Sequence, residues 1–162
     1  MNAIDMLKQD HRMVEDLFEA IEESRDAGER EQLFTELADA LAVHATLEEK
    51  IFYPACKSED SEDVLLEALQ EHLQAKRLLA DLLDMDPMDE VFMAKIKVLK
   101  EAIEHHVEEE EQEVMPKARR LLGEDMLMAI GNQMIVMRVE LEAKGEPRMQ
   151  IPSETAEAPA LE

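Results

Sequence analysis

Apolar residues recur at alternating steps of three and four through four successive stretches of this chain. That rhythm buries one face of a helix and suits no strand. The first stretch is Ile4, Leu7, His11, Val14, Phe18 and Ile21; the second is Phe34, Leu37, Leu41, His44, Glu48, Ile51 and Ala55. The third is Leu65, Ala68, His72, Ala75, Leu79 and Leu82, with Leu69 widening its face. The fourth is Phe92, Ile96, Leu99, Ile103, His106, Glu110 and Val114. Polar breaks at 26–28, 57–63 and 84–89 are short, which favours antiparallel neighbours. Gly123 stops the fourth helix, and Leu127, Ile130, Met134, Met137 and Leu141 mark a fifth that ends at Gly145 and Pro147. The expectation is an all-α fold. Residues 1–122 form an up-down-up-down antiparallel four-helix bundle, 123–145 an additional C-terminal helix, and 146–162 a flexible, disordered tail. The fifth helix offers a surface for homo-oligomer contacts.

Composition narrows the function. The 162 residues hold 40 Asp and Glu against 17 Lys and Arg, a formal net charge of −23. No nucleic acid is expected as a partner, because phosphate backbones need a basic footprint. No membrane is expected either: anionic surfaces repel such a chain, and no apolar run is long enough to span one or to serve as a secretory signal. A single cysteine, Cys56, leaves no internal disulfide and no thiolate zinc site. A soluble protein in a reducing, cytoplasmic setting is the expectation.

Four of the five histidines lie inside the core stripes, one per helix: His11, His44, His72 and His106. A lone histidine on an apolar face is usually an ordinary core residue. Four at one height are not. Residues level with each other in an antiparallel hairpin are equidistant from its turn. The midpoint of 11 and 44 falls in the first break, that of 48 and 72 in the second, and that of 72 and 106 at the edge of the third. Glu48 and Glu110 each follow a stripe histidine by four, on the same helix face. Buried carboxylates are costly unless paired or bound to a metal. Imidazole and carboxylate without thiolate suit iron, manganese or zinc.

The layer is also an internal repeat. Gln9-Asp10-His11 matches Gln70-Glu71-His72, and His44, Glu48, Glu49 and Pro54 match His106, Glu110, Glu111 and Pro116 at identical offsets. Two hairpins, each carrying His and then His-x3-Glu-x5-Pro, would hold two metals with each glutamate able to bridge.

In these residues the chain resembles the hemerythrin-like, or HHE cation-binding, domain family. The resemblance covers about residues 1–120 in order, spacing and helix placement. It implies a four-helix bundle holding a non-haem, carboxylate-bridged di-iron centre with a bridging oxide or hydroxide. The ligands implied are His11, His44, Glu48, His72, His106 and Glu110. Family roles include binding or sensing O2 or NO, turnover of peroxide or nitric oxide, and iron holding, so the partner expected is a small diatomic or peroxide ligand. Two positions depart from the oxygen carriers. Where they place a further histidine this chain has Lys76, expected to snorkel towards solvent. Their last carboxylate corresponds to Glu111, whereas the internal repeat favours Glu110.

Other residues read more plainly. His105 is one position off the stripe and reads as solvent-facing. Glu108, Glu109, Glu111 and Glu113 read as a solvated acidic face. Tyr53, nine residues past His44, falls on the opposite side of an ideal helix and reads as a surface or helix-packing residue, not a ligand. Cys56 reads as an inert thiol, and the 12 methionines as gap-filling core.

Overall fold

Three short polar side chains set where the helices begin. In the computed structural model, which describes residues 1–162, Asn2 accepts the Asp5 N–H at 2.9 Å and starts α1 (Ala3–Glu23). Asp26 accepts the Glu29 N–H at 2.9 Å and starts α2 (Ala27–Leu47). Asp89 accepts the Val91 N–H at 2.8 Å and starts α5 (Glu90–Glu109). Each satisfies a backbone donor that has no partner within the helix. α4 (Glu62–Leu83) has no such cap; Ser61 before it instead donates to the Cys56 carbonyl at 2.6 Å.

Two helices pass through a wider turn before they end. α2 runs into a π turn, Glu48–Phe52, and on into the short α3 (Tyr53–Cys56). α5 runs into a second, Glu110–Val114, and on into α6 (Met115–Lys144). Pro54 and Pro116 explain both. Proline lacks an N–H and its ring collides with the carbonyl four residues back, so the preceding turn opens to admit it. The Tyr53 N–H accordingly reaches the Glu48 carbonyl and the Met115 N–H the Glu110 carbonyl, five residues back in each case. Gly123, at φ 75 and ψ 169, breaks α6 where the sequence placed a stop, and Gly145 ends it. The result is all-helical, with four antiparallel bundle helices and a fifth laid against α1 and α2.

The apolar interior is not continuous. One cluster gathers Ile4, Leu7, Leu47, Phe52, Leu65 and Val114 with Ile130 and Met134 of the fifth helix. The other gathers Phe18, Phe34, Leu37, Leu79, Phe92, Ile96 and Leu99. Between them lie the buried polar residues His11, His44, Glu48, His72, His106 and Glu110.

The C-terminal segment departs from the expected flexible tail. Pro147–Glu154 forms a 3-10 helix packed on α2 and α4, with Ile151 only 2% exposed in the second apolar cluster. Arg148 pairs with Asp39 at 3.1 Å, and Arg77 donates to the carbonyls of Thr155 and Ala156. One anchoring isoleucine among prolines has no periodicity to reveal it. No helix is long and apolar enough to cross a membrane.

Candidate metal centre

All six residues expected at the centre meet there. The four imidazoles come from α1, α2, α4 and α5, and the two glutamates from the first positions of the π turns. Each imidazole holds an outer carboxylate through Nδ1 and turns Nε2 inward. Asp10 takes His44 at 2.9 Å and Glu71 takes His106 at 2.7 Å. Glu49 takes His72 at 2.7 Å and Glu111 takes His11 at 2.7 Å. Under the internal repeat Asp10 corresponds to Glu71 and Glu49 to Glu111, so the outer shell has the same two-fold order as the histidines. Such a bond fixes ring orientation and leaves the Nε2 lone pair free for a cation.

Glu48 and Glu110 occupy the middle, essentially without solvent exposure. Glu48 Oε1 lies 3.1 Å from His72 Nε2 and 3.3 Å from His44 Nε2. Glu110 lies 3.1 Å from His11 Nε2 and 3.3 Å from His106 Nε2. His72 and His106 face each other, Nε2 to Nε2, at 3.2 Å. Two lone pairs so placed repel unless positive charge lies among them. His44 Nε2 and Glu48 Oε2 are buried with no hydrogen-bond partner. Two inward donor sets, His11 with His44, Glu48 and Glu110, and Glu48 with His72 and His106, each lie within 4.8 Å. Orphaned donors and converging lone pairs make this a set of residues that fits metal.

In the metal-free chain, protons supply the missing charge. Burial pulls His44 down, but the Glu48 charge and the Asp10 hydrogen bond outweigh it and hold His44 at about 10. Burial likewise opposes the His106 cation, and the Glu110 charge raises it well above the usual imidazole value. Glu48 is lowered well below its ordinary range: burial disfavours its charge, and the His44 cation prevails.

Tyr53 corrects the sequence reading. It is fully buried, and its hydroxyl donates to Glu110 Oε2 at 2.5 Å and lies 3.2 Å from Glu48 Oε1. On an ideal helix a residue five past Glu48 stands about 140° round from it. The π turn carries Tyr53 back over Glu48 instead. The signal was Pro54, which marks where counting by 3.6 fails. In the other half the same place holds Met115, so the phenol breaks the two-fold symmetry. Burial and the charges of Glu110 and Glu48 push the Tyr53 phenol well above its ordinary value, so it remains a donor.

Glu111 corrects a second reading, since its carboxylate positions His11 and is not merely part of a solvated face. Lys76 corrects a third. It is 6% exposed, and its ammonium lies 3.0 Å from Glu49 and 3.2 Å from Glu154, paired within the fold and short of open solvent. Asp10 is held by Arg138 of the fifth helix at 3.0 and 2.7 Å, a contact with no sequence signal. His105, 68% exposed at its side chain, lies outside the layer as expected. Burial pushes the Cys56 thiol up to about 12, so it is inert in the fold.

Comparison with known proteins agrees with this geometry. The hemerythrin HHE cation binding domain model matches residues 2–118. An uncharacterized protein of Mycobacterium tuberculosis, Rv2633c, is 29% identical over 117 residues, 72% of this chain and 71% of that protein. A DNA nickase of Nostoc sp. is 28% identical over 125 residues, 77% of this chain but 36% of that protein. This chain thus spans little more than a third of the Nostoc relative. The crystal structure of a hemerythrin HHE cation binding domain-containing protein from Mycobacterium kansasii, a homolog of Rv2633c, shares the fold. Its TM-score is 0.78 at 23% identity, covering 99% of this chain and 96% of that one. With a family model over residues 2–118 and a buried His/Glu layer that fits metal, the chain belongs to the hemerythrin HHE cation-binding domain family.

Proposed function

We propose that the chain is a non-haem di-iron protein that binds or senses O2 or NO. The carrying observation is the two-fold set of four inward Nε2 atoms around two buried glutamates, each imidazole fixed by its own outer carboxylate. His11, His44, Glu48, His72, His106 and Glu110 would hold two irons, with Glu48 and Glu110 between the histidines of the two halves. Bound iron would supply redox chemistry and open positions for a small ligand. The outer carboxylates keep each imidazole in the tautomer that presents Nε2, and the two apolar clusters exclude bulk water. The DNA activity named for the Nostoc relative is not part of the proposal, because a net charge of −23 repels a phosphate backbone.

Tyr53 favours a second reading, turnover of peroxide or nitric oxide. A phenol held protonated and bonded to both inner glutamates is a hydrogen-bond donor set among the groups that would hold the iron, which reversible binding does not require. The experiment is to mix reduced, iron-loaded protein with O2, NO or peroxide, following the visible spectrum and ligand consumption. Stoichiometric uptake that persists supports binding. Repeated consumption slowed in Tyr53→Phe supports the enzyme. Iron that reacts with none of the three leaves only an iron-holding role.

A further inference from the structure

A cavity with about 50 Å³ of room for a water-sized sphere lies against all four imidazoles. At roughly 10–15 Å³ per such sphere it holds about three to five of them, ample for a diatomic molecule, so keeping a ring out depends on the walls that close it. Val14, Leu41, Ala75, Leu79 and Ile103 form its apolar walls; Asp10, already bound to His44 and Arg138, and Lys76, already bound to Glu49 and Glu154, also line it. Glu48, Glu110 and Tyr53 do not line it; Tyr53 belongs to the opposite apolar cluster. The layer therefore has a side with the inner glutamates and the phenol and an open side that is mainly apolar, its charged groups already paired. The last wall of the open side is Ile151, with Glu154 beside it, both from the C-terminal 3-10 helix.

We infer that Ile151 is a specificity-determining residue, closing this cavity so that only a small, uncharged ligand of diatomic size reaches the four histidines. The inference rests on reading the layer as a ligand-binding metal centre. It goes beyond the family resemblance, because Ile151 lies outside the matched residues 2–118. The wall is fastened from three directions: Arg148 to Asp39, Glu154 to Lys76, and the Thr155 and Ala156 carbonyls to Arg77. With that side shut, access falls to the groove between α1 and α5. That groove shares His11, Val14, Ile103 and Val107 with the cavity. Its inner partition is apolar apart from His11, so a charged molecule loses hydration there without gaining a partner.

Two probes test this. Xenon needs no iron chemistry, and its binding to the purified chain is read by xenon NMR. Wild type should bind it, and Ile151→Trp should weaken binding about tenfold or more by filling the space, with Ile151→Val close to wild type. The second probe is neutral imidazole with the iron-loaded protein, read from the visible spectrum. It should be excluded from wild type and admitted by Ile151→Ala, with iron content unchanged. Xenon bound equally by wild type and Ile151→Trp overturns the inference, as does imidazole excluded equally from wild type and Ile151→Ala. The alanine arm decides if the tryptophan variant does not fold. If wild type holds no iron, the proposed function fails while the xenon result still decides the role of Ile151.

Discussion

Each buried imidazole in the layer commits one nitrogen to a carboxylate and the other to the centre, so the site is built one atom at a time. His44→Ala or His106→Ala removes an inward donor and should cut metal content to half or less of wild type, a loss at the scale seen when metal-site partners are removed. His105→Ala should leave it unchanged, as elemental analysis of the purified variants would show. Equal loss from the 105 and 106 variants would contradict the geometry. Protons compete for the same nitrogens. His44 in the metal-free fold is raised from 6.5 to about 10, so its ion pair supports the metal-free fold fully below about pH 6.5. That support fades as pH rises through about 10. A metal must displace this proton, so loading near neutral pH should release protons and affinity should rise with pH. Calorimetry in buffers of different ionisation enthalpy reads the release; none at pH 7 would contradict the assigned protonation. The histidines and Glu110 were legible in the sequence because stripe position and the internal repeat agree. Tyr53 was not, because its place depends on a turn that is not α-helical.

The two π turns place both inner glutamates at the ends of α2 and α5 and bring Tyr53 into the layer. They follow from Pro54 and Pro116, so the His-x3-Glu-x5-Pro repeat encodes a backbone feature as well as donors. The stops at Gly123 and Gly145 were readable by short-range chemistry, whereas the break read at 26–28 ends at Asp26, with Ala27 and Gly28 already in α2. The packed 3-10 helix was not, because a single buried Ile151 and two arginine contacts leave no periodic trace. Gly123 carries an element-scale prediction. At φ 75 and ψ 169 its backbone suits glycine alone, although a Cβ there would meet no atom within 4 Å. Gly123→Ala should therefore destabilise the fold by about 1–3 kcal/mol through backbone strain alone. Urea denaturation measures this; an unchanged midpoint would show that the α6 break does not need that conformation.

Across the whole molecule, a polar layer separates two apolar clusters, each too small to ignore what happens between them. Without metal, the layer confines buried carboxylates and imidazoles that share protons; with metal, the same groups would tie four helices together. Chelation should lower Tm by several degrees and metal return should restore it, because a ligand bound only by the folded state stabilises that state. The height of the layer was legible from residue numbers alone, since equal distances from three turns bring 11, 44, 48, 72 and 106 level. Which outer carboxylate serves which imidazole was not, because each contact joins two different helices, and Glu49–His72 and Glu111–His11 also cross between hairpins. The most direct test of the proposed two-metal centre is anomalous diffraction at the iron edge, on crystals of protein produced with iron. Two peaks are expected, about 3.5–4 Å apart, enclosed by His11, His44, His72 and His106 with Glu48 and Glu110 reaching both. A single peak, or iron only at the exposed Glu71, His105 and Glu109, would contradict it.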